Sequence, residues 1–139
     1  MAPDYSLLEG STSEGINLAE LLKTINNRIE GLLDKDHVIG HSYFLRVSKG
    51  EKTLQDVFFD EIIPLLQEYF YGNFGRIELV LGRGFVASKP INQSIFAKPS
   101  PYNDEFNDHI HYSLVNRKKM NKIDFRKALQ VLMNESNEA

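Results

Sequence analysis

The chain has 139 residues, of which 42% are hydrophobic and 25% are charged, so it fits one compact globular domain with at most a short tail. These values exclude a disordered chain, a collagen-like repeat and a coiled-coil rod. No stretch approaches the roughly 18 consecutive apolar residues of a membrane span, and residues 1–10 lack the basic start of a signal peptide. Cysteine is absent, which excludes disulfides and thiolate metal sites. We therefore expect a cytoplasmic protein with no membrane partner.

Charge is distributed unevenly along the chain, although the net charge is only −3. Residues 1–82 carry seven Lys and Arg against thirteen Asp and Glu, whereas residues 83–139 carry nine against six. An acidic front and a basic back indicate regions that face different partners. The positive excess of the second region is too small to indicate nucleic-acid binding by itself.

The first predicted elements are a linker and a long helix. Residues 1–16 are rich in turn-forming residues and are predicted to be a linker that leads into the domain. A helix is expected over about residues 17–34, and Asn17 with Glu20 resembles a capping box at its start. Apolar residues recur along one face of this helix: Leu18, Leu21, Leu22, Ile25, Ile29, Leu32 and Leu33.

The helix is followed by a polar connection over residues 34–44 and then by a second apolar face over about residues 54–70. Thr53 is the expected N-cap of this second helical region. Pro64 falls inside it, and a proline there either kinks one helix or begins a new one in its first turn.

The rest of the chain changes from helical to mixed patterns. A short helix is expected to begin after Asn73 and to stop at Gly82. Residues 85–87 and 109–115 are predicted strands, separated by a proline-rich loop. Asp124 is the predicted cap of a last helix.

Several catalytic and binding motifs are absent from the sequence. It has no phosphate-binding loop of the GxxxxGK[S/T] type, no nucleophile elbow, no His-Glu-x-x-His pair and no EF-hand loop. By itself the chain is therefore expected neither to bind a nucleotide phosphate chain tightly nor to hydrolyse a substrate.

The densest polar cluster spans residues 36–44 and contains His37, Gly40, His41 and Ser42. A glycine beside histidine and serine lets a ligand approach the backbone closely. The alternative is a connector whose side chains cap the neighbouring helix and bond to the backbone. His37 and His41 have a four-residue spacing, but no metal site is predicted, because Gly40 disfavours a helical presentation and no third ligand is evident.

Two polar groups in the second half of the chain are weaker candidates. His109 and His111 share one face if their segment is a strand, which fits a solvated face, a metal site or a pH sensor. Arg117, Lys118 and Lys119 form a modest basic patch that could contact phosphate or an acidic partner, or could be a solvated face. The patch continues with Lys122, Arg126 and Lys127.

Two longer blocks of the sequence resemble a known family. One block reads LLKTINNRIEGLLDKDHVIGHSYF (21–44), and the other reads IIPLLQEYFY (62–71) and is followed by LVLG (79–82). In order and spacing they resemble the C-terminal part of the AAA+ motor of McrB-type proteins, the nucleotide-hydrolysing subunits of 5-methylcytosine-specific restriction systems. The resemblance covers residues 17–82. It implies a helical lid that follows the nucleotide-binding core, closes over the nucleotide and packs against the next subunit of a ring.

The resemblance implies a mainly α fold, in which an AAA+ lid bundle over residues 17–82 is followed by a small β-containing extension with a C-terminal helix over residues 83–139. It also implies that the chain is a C-terminal fragment, that Met1 is an artificial start, and that the fragment is inactive alone. The parent protein is expected to hydrolyse GTP or ATP with Mg²⁺. Its expected partners are the AAA+ core of the same chain, neighbouring subunits of a hexameric ring, a nuclease subunit, and DNA bound through other domains.

The resemblance assigns a role to Ile39, Gly40, His41 and Ser42. Many AAA+ lids place a glycine, followed shortly by an arginine, at the helix boundary that faces the γ-phosphate. Here His41 and Ser42 stand where the arginine is expected, and a neutral or intermittently charged group stabilises phosphate less than a guanidinium. We therefore expect these four residues to border the nucleotide near its base or sugar rather than to drive hydrolysis.

Arg28 and Glu30 also recur in the family block. They are expected at an inter-subunit or inter-domain contact, or else in ordinary surface pairs along their helix. The main alternative function is a stand-alone helical module that binds DNA or protein through the basic region 117–127. An independent small enzyme using His37 or His41 is disfavoured, because no nucleophile, base and orienting group converge in the sequence.

Overall fold

The computed structural model describes residues 3–91, 95–98, 100–102 and 110–134. These residues are mainly helical, as predicted, and contain two antiparallel strand pairs, of which only the second was predicted. Within them no helix has the length and apolar character needed to cross a bilayer. The strands are β1 (Thr12–Ser13), β2 (Ile16–Asn17), β3 (Val86–Pro90) and β4 (Ile110–Leu114). The helices are α1 (Leu18–Leu32), α2 (Ser42–Ser48), α3 (Leu54–Val57), α4 (Ile63–Tyr69), α5 (Phe74–Leu81) and α6 (Lys122–Leu132).

The turn-rich segment before α1 is folded against the helices. A 3₁₀ turn (Tyr5–Leu8) buries Leu8 completely, and β1 pairs with β2 to bury Ile16. The hairpin turn is formed by Glu14 and Gly15, both with positive φ, which is the backbone that a two-residue connection of twisted strands requires. Two buried side chains thus fix a segment that looks polar in the sequence.

The prediction for α1 is confirmed, and the helix ends two residues earlier than expected. The Asn17 side-chain oxygen accepts a hydrogen bond from the backbone N–H of Glu20 at 3.1 Å, which satisfies one of the free amides at the helix start. The predicted apolar face lies in the core, with Leu21, Leu22 and Ile25 fully buried.

Helix α2 was not predicted, because its seven residues lie partly within the expected connection over 34–44. Phe44 is fully buried in its first turn, and Leu45 and Val47 pack against the core at its edge. A helix this short shows too few periodic positions to be recognised from its pattern.

The second apolar face forms one continuous helical rod in which Pro64 is accommodated by a π-helical turn. Thr53 caps α3 as predicted, since its hydroxyl accepts from the Asp56 backbone N–H at 3.0 Å. The π turn (Phe58–Ile62) leads directly into α4, and the Ile63 N–H bonds to the Phe58 carbonyl. Because Pro64 cannot donate a hydrogen bond, widening the preceding turn keeps the rod intact.

The π turn directs Glu61 towards α2, where its carboxylate bonds to Arg46 and lies 3.5 Å from Lys52 Nζ. The hydrogen bond from Arg46 holds the pKa of Glu61 below its ordinary value. The stability gained is therefore present above the unfolded pKa and is lost as the pH falls through the lower folded pKa. We expect Glu61→Gln to reduce the free energy of unfolding slightly at pH 7 and not at pH 3, as measured by urea titrations. An equal loss at both pH values would contradict this.

The α5 prediction is confirmed at both ends. The Asn73 side chain accepts from the Arg76 N–H, and Gly82 ends the helix with a φ of 88°. The two predicted strands also form, as the antiparallel pair β3–β4 with Val86 opposite Leu114. His109, which was expected to share one strand face with His111, lies outside the described residues.

The last helix begins earlier than predicted. Asn121, not Asp124, is the cap of α6, and its side-chain oxygen accepts from the Asp124 N–H at 2.8 Å. Asp124 instead lies in the first turn, where a carboxylate is favoured by the helix dipole. Both residue types cap helices well, and Phe125 lies on the buried face of α6.

One hydrophobic core contains side chains from all six helices named above and from β2, β3 and β4. At its centre Phe58 stacks on Phe44 and Phe85, with centroids 6.3 and 5.3 Å apart, and meets Phe125 edge-on at 5.7 Å. The aromatic cluster therefore joins α2, the π turn, the residue before β3, and α6.

The turn before β3 lies unusually close to α6. A Cβ atom on Gly84 would lie 2.7 Å from Ala128 Cα and 2.8 Å from its Cβ. We expect Gly84→Ala to destabilise the chain by about 1–3 kcal/mol, because the helix must shift. Gly31→Ala is the matched control: it lies within α1, nothing lies within 4 Å of its Cβ position, and it should stabilise by about 0.5–1 kcal/mol. Equal effects in urea denaturation would contradict the close approach.

Candidate functional site

The site predicted over residues 39–42 lies where the connection from α1 ends and α2 begins, and Ser42 is the first residue of α2. We call these four residues the loop over 39–42. A 3₁₀ turn (Lys35–His37) leads into it. Ile39 anchors the loop in the core with an exposure of 1%, whereas Ser42 is exposed. A Cβ atom on Gly40 would meet no atom within 4 Å. The loop therefore has a buried side and an open side.

Asn26 holds the buried side of this loop. Its side-chain oxygen accepts from the Ile39 N–H at 2.6 Å, and its side-chain nitrogen donates to the Ile39 carbonyl at 2.9 Å. The same nitrogen also lies 3.1 Å from the Tyr5 hydroxyl. Asn26 is the buried polar residue of the described chain, and it pairs with the Ile39 backbone as a neighbouring strand would.

His41 at the start of α2 makes its contact with the N-terminal segment. Its Nδ1 accepts a hydrogen bond from the backbone N–H of Asp4 at 2.9 Å. Hydrogen bonds from the hydroxyl and backbone N–H of Ser6 lower the pKa of the Asp4 carboxyl, and the nearby His41 lowers it further. The side chain that the sequence singled out is thus held by a residue 37 positions away.

His37 makes a separate contact at the end of α1. Its Nδ1 lies 2.7 Å from Asp34 Oδ1, and its ring meets Tyr69 edge-on at 5.0 Å. The hydrogen bond with His37 lowers the pKa of Asp34. The Nδ1 atoms of His37 and His41 therefore bond to different neighbours, Asp34 for His37 and the backbone of Asp4 for His41. Among the described residues, no group of three or more potential metal ligands forms.

Arg28 and Glu30 lie in different surroundings. Arg28 is half-buried, and its guanidinium donates to the Val80 carbonyl of α5 at 2.7 Å. Burial lowers the pKa of Arg28 from its ordinary value. Glu30 is exposed. Arg28 thus joins two helices of the chain, and the structure does not bring it together with Glu30.

Part of the predicted basic patch is neutralised within the chain. Arg117 forms ion pairs with Asp56 and Asp60, and this arginine is therefore committed to a contact with α3 and the π turn. Lys118 and Lys119 are exposed and form no ion pair with the described residues. Further along, Lys122 and Arg126 both pair with Glu14 of the β1–β2 turn, at 3.7 and 2.8 Å.

Three residues that support the loop were not predicted from the sequence: Asn26, Asp4 and Tyr5. Only Asn26 leaves a signal in the sequence, because it is a polar residue four positions after Leu22 and three before Ile29 on the apolar face of α1. A polar side chain there must find partners in the core.

Comparison with known proteins addresses the identity of this helical unit. Residues 17–78 match the family described as McrB, alpha-helical lid domain. No curated protein and no solved structure matches the chain. The matched range begins at the α1 cap and reaches into α5, so it includes the loop over 39–42 and Asn26. Residues 17–78 of this chain form an alpha-helical lid domain of the McrB type.

Proposed function

We propose that the chain is the lid of a McrB-like AAA+ subunit that hydrolyses GTP or ATP with Mg²⁺ in a 5-methylcytosine-specific restriction system. In this role the lid couples the state of the nucleotide to the conformation of the ring, and it is inactive alone. The observation that carries the proposal is the match of residues 17–78 to the McrB lid. The open side of the loop over 39–42 supports it, because a lid must present a surface to the nucleotide.

The chemistry of the loop favours contact with the base or sugar. The absence of a side chain on Gly40, together with the open space beside it, lets a ligand approach the backbone. The Ser42 hydroxyl and the His41 ring add donors and acceptors. None of these groups carries the permanent charge of an arginine, which is the better partner for phosphate. Contacts made only in the closed state would bias lid closure by differential binding.

The proposed partners follow from the same role. The AAA+ core of the same subunit would hold the nucleotide phosphates and Mg²⁺, and neighbouring subunits would complete a hexameric ring. A nuclease subunit and DNA would bind through other domains. Glu30 is a candidate for contact with a neighbour, since it is exposed on α1, whereas Arg28 already bonds to Val80.

The test is His41→Ala in the AAA+ subunit that carries this lid. We expect nucleotide affinity to fall about fivefold, as for the loss of one hydrogen bond of ordinary strength, while the lid still folds. His111→Ala is the matched control, because His111 is an exposed histidine on β4. Nucleotide affinity and turnover are measured for both variants. Unchanged values in His41→Ala would contradict the placement of the nucleotide beside this loop.

The alternative is a stand-alone module that binds DNA or protein through the region 117–127. Lys118 and Lys119 favour it, since both are exposed, and Lys119 borders a shallow cavity of about 250 Å³ beside α6. We prefer the lid, because Arg117 is already paired with acids of the chain. Salt-sensitive binding of DNA by the 139-residue chain, lost in a Lys118→Ala and Lys119→Ala double variant, would favour the alternative.

A further inference from the structure

We infer that residues 3–8, which precede the matched lid region, complete the nucleotide-facing site, with Asp4 acting as the positioning residue that fixes His41 as an Nε2–H donor. The acceptor would be an uncharged atom of the nucleotide base or sugar. This inference rests on the proposed function of the loop over 39–42. Its structural part is the contact between Asp4 and His41, which can be tested without a nucleotide.

Asp4 is itself held in place by its own contacts. It caps the 3₁₀ turn over Tyr5–Leu8, with its carboxylate accepting from the Ser6 N–H at 3.1 Å. Leu8, at the end of this turn, is fully buried. The backbone N–H of Asp4 therefore belongs to a segment anchored in the core.

The contact with Asp4 also determines which ring nitrogen of His41 accepts a hydrogen bond. A backbone N–H can only donate, so the nitrogen that it faces at 2.9 Å, Nδ1, must accept and carries no proton. The proton of a neutral ring is then on Nε2. A doubly protonated ring has no acceptor and would lose this bond. The contact thus fixes Nδ1 as the acceptor and Nε2–H as the donor of the ring.

The segment over residues 3–8 also supports the backbone of the loop over 39–42. Tyr5 follows Asp4, and its hydroxyl lies 3.1 Å from the Asn26 side-chain nitrogen, which in turn donates to Ile39. Consecutive residues therefore support the ring of His41 and the anchor at Ile39. Ring and backbone are held as one unit.

The Nε2–H of His41 is the group available to a ligand. His41 is half-buried, and no described residue accepts a hydrogen bond from its Nε2. A fixed N–H donor suits a lone pair on a base nitrogen or a sugar oxygen. Its orientation is set before the ligand arrives, which reduces the entropy lost on binding.

The contact is tested by NMR on the 15N-labelled 139-residue chain. A scalar coupling across the N–H···N hydrogen bond should connect the Asp4 amide nitrogen to His41 Nδ1. We expect the coupling in the unmodified chain and in Asp4→Ala, which keeps the backbone N–H. We expect none in Asp4→Pro, which lacks the N–H, or in His41→Ala. Absence of the coupling from the unmodified chain would overturn the inference, whether or not any variant folds.

Whether the contact between Asp4 and His41 contributes to nucleotide binding is tested by measuring nucleotide affinity in the AAA+ subunit that carries the lid. Asp4→Pro should weaken binding about fivefold relative to Asp4→Ala, and should have no further effect once His41 is replaced by Ala. A merely structural role of Asp4 would give the same loss in both backgrounds. If the coupling is present and His41→Ala weakens nucleotide binding, but Asp4→Pro and Asp4→Ala have equal affinities, the inference about Asp4 is wrong while the proposed function stands. If His41→Ala has no effect, the proposed function fails with it.

Discussion

Replacing Phe125 by alanine is expected to destabilise the whole described fold by about 3–5 kcal/mol, the usual loss for a buried aromatic side chain. Phe125 is fully buried, and its ring lies 5.7 Å from Phe58 and 5.9 Å from Phe85. Phe58 belongs to the matched lid region, whereas Phe85 and Phe125 follow it. The cavity left behind would therefore open in a core that both regions share, and the thermal midpoint should fall by about 10 °C or more in a single transition.

The matched control is Ile123→Ala, because Ile123 lies in the same helix with an exposure of 65%. Its expected loss is within about 0.5–1 kcal/mol. Both variants are followed by circular dichroism during heating and during urea titration. If residues 83–134 instead form an independent unit, the unfolding of Phe125→Ala should show two transitions, and the transition of residues 17–82 should be unchanged. That result would contradict a shared core.

Local sequence determines the parts of the fold that were predicted well. The helix starts at Asn17, Thr53 and Asn73 were found because a capping side chain bonds to an amide three residues later. The start of α6 was wrong for a related reason: Asn121 and Asp124 lie three residues apart and are both good caps. Helix-capping propensity therefore does not decide between these two residues.

Non-local packing determines the parts that could not be predicted. The π turn lies just before Pro64 and keeps the helical rod continuous, and a pattern of apolar residues does not distinguish this from a kink or a new helix. The charge of Arg117 looked available for a partner, but its acids, Asp56 and Asp60, lie 61 and 57 positions away. Sequence spacing gives no information on ion pairs at such separations.

The candidate site was located by sequence, but its support was not. Gly40 and His41 stand out because glycine and histidine at an element boundary are chemically informative. The groups that hold them in place are Asn26, which is 13 residues before Ile39, and the backbone of Asp4, 37 residues before His41. A backbone N–H leaves no trace in the residue type, so the role of Asp4 could come only from the structure.

Asn26→Ala is expected to destabilise the chain by about 2–4 kcal/mol. The substitution leaves both the N–H and the carbonyl of Ile39 without a partner, and each unsatisfied buried group costs about 1–3 kcal/mol. Ile39 is only 1% exposed, so water cannot easily replace the lost bonds. The free energy of unfolding is measured by urea denaturation, and hydrogen exchange of the Ile39 amide should become faster as the loop loses its clamp.

The adjacent asparagine provides the control. Asn27 lies in the same helix but is exposed, and alanine has the higher helix propensity, so Asn27→Ala should be neutral or stabilising by up to about 0.5 kcal/mol. If the two variants behave alike, the bonds from Asn26 to Ile39 contribute no net stability. If they differ as expected, the loop over 39–42 is held from the core side by a single carboxamide. The open side would then keep its shape before any ligand binds, which is the condition that a preorganised contact from His41 requires.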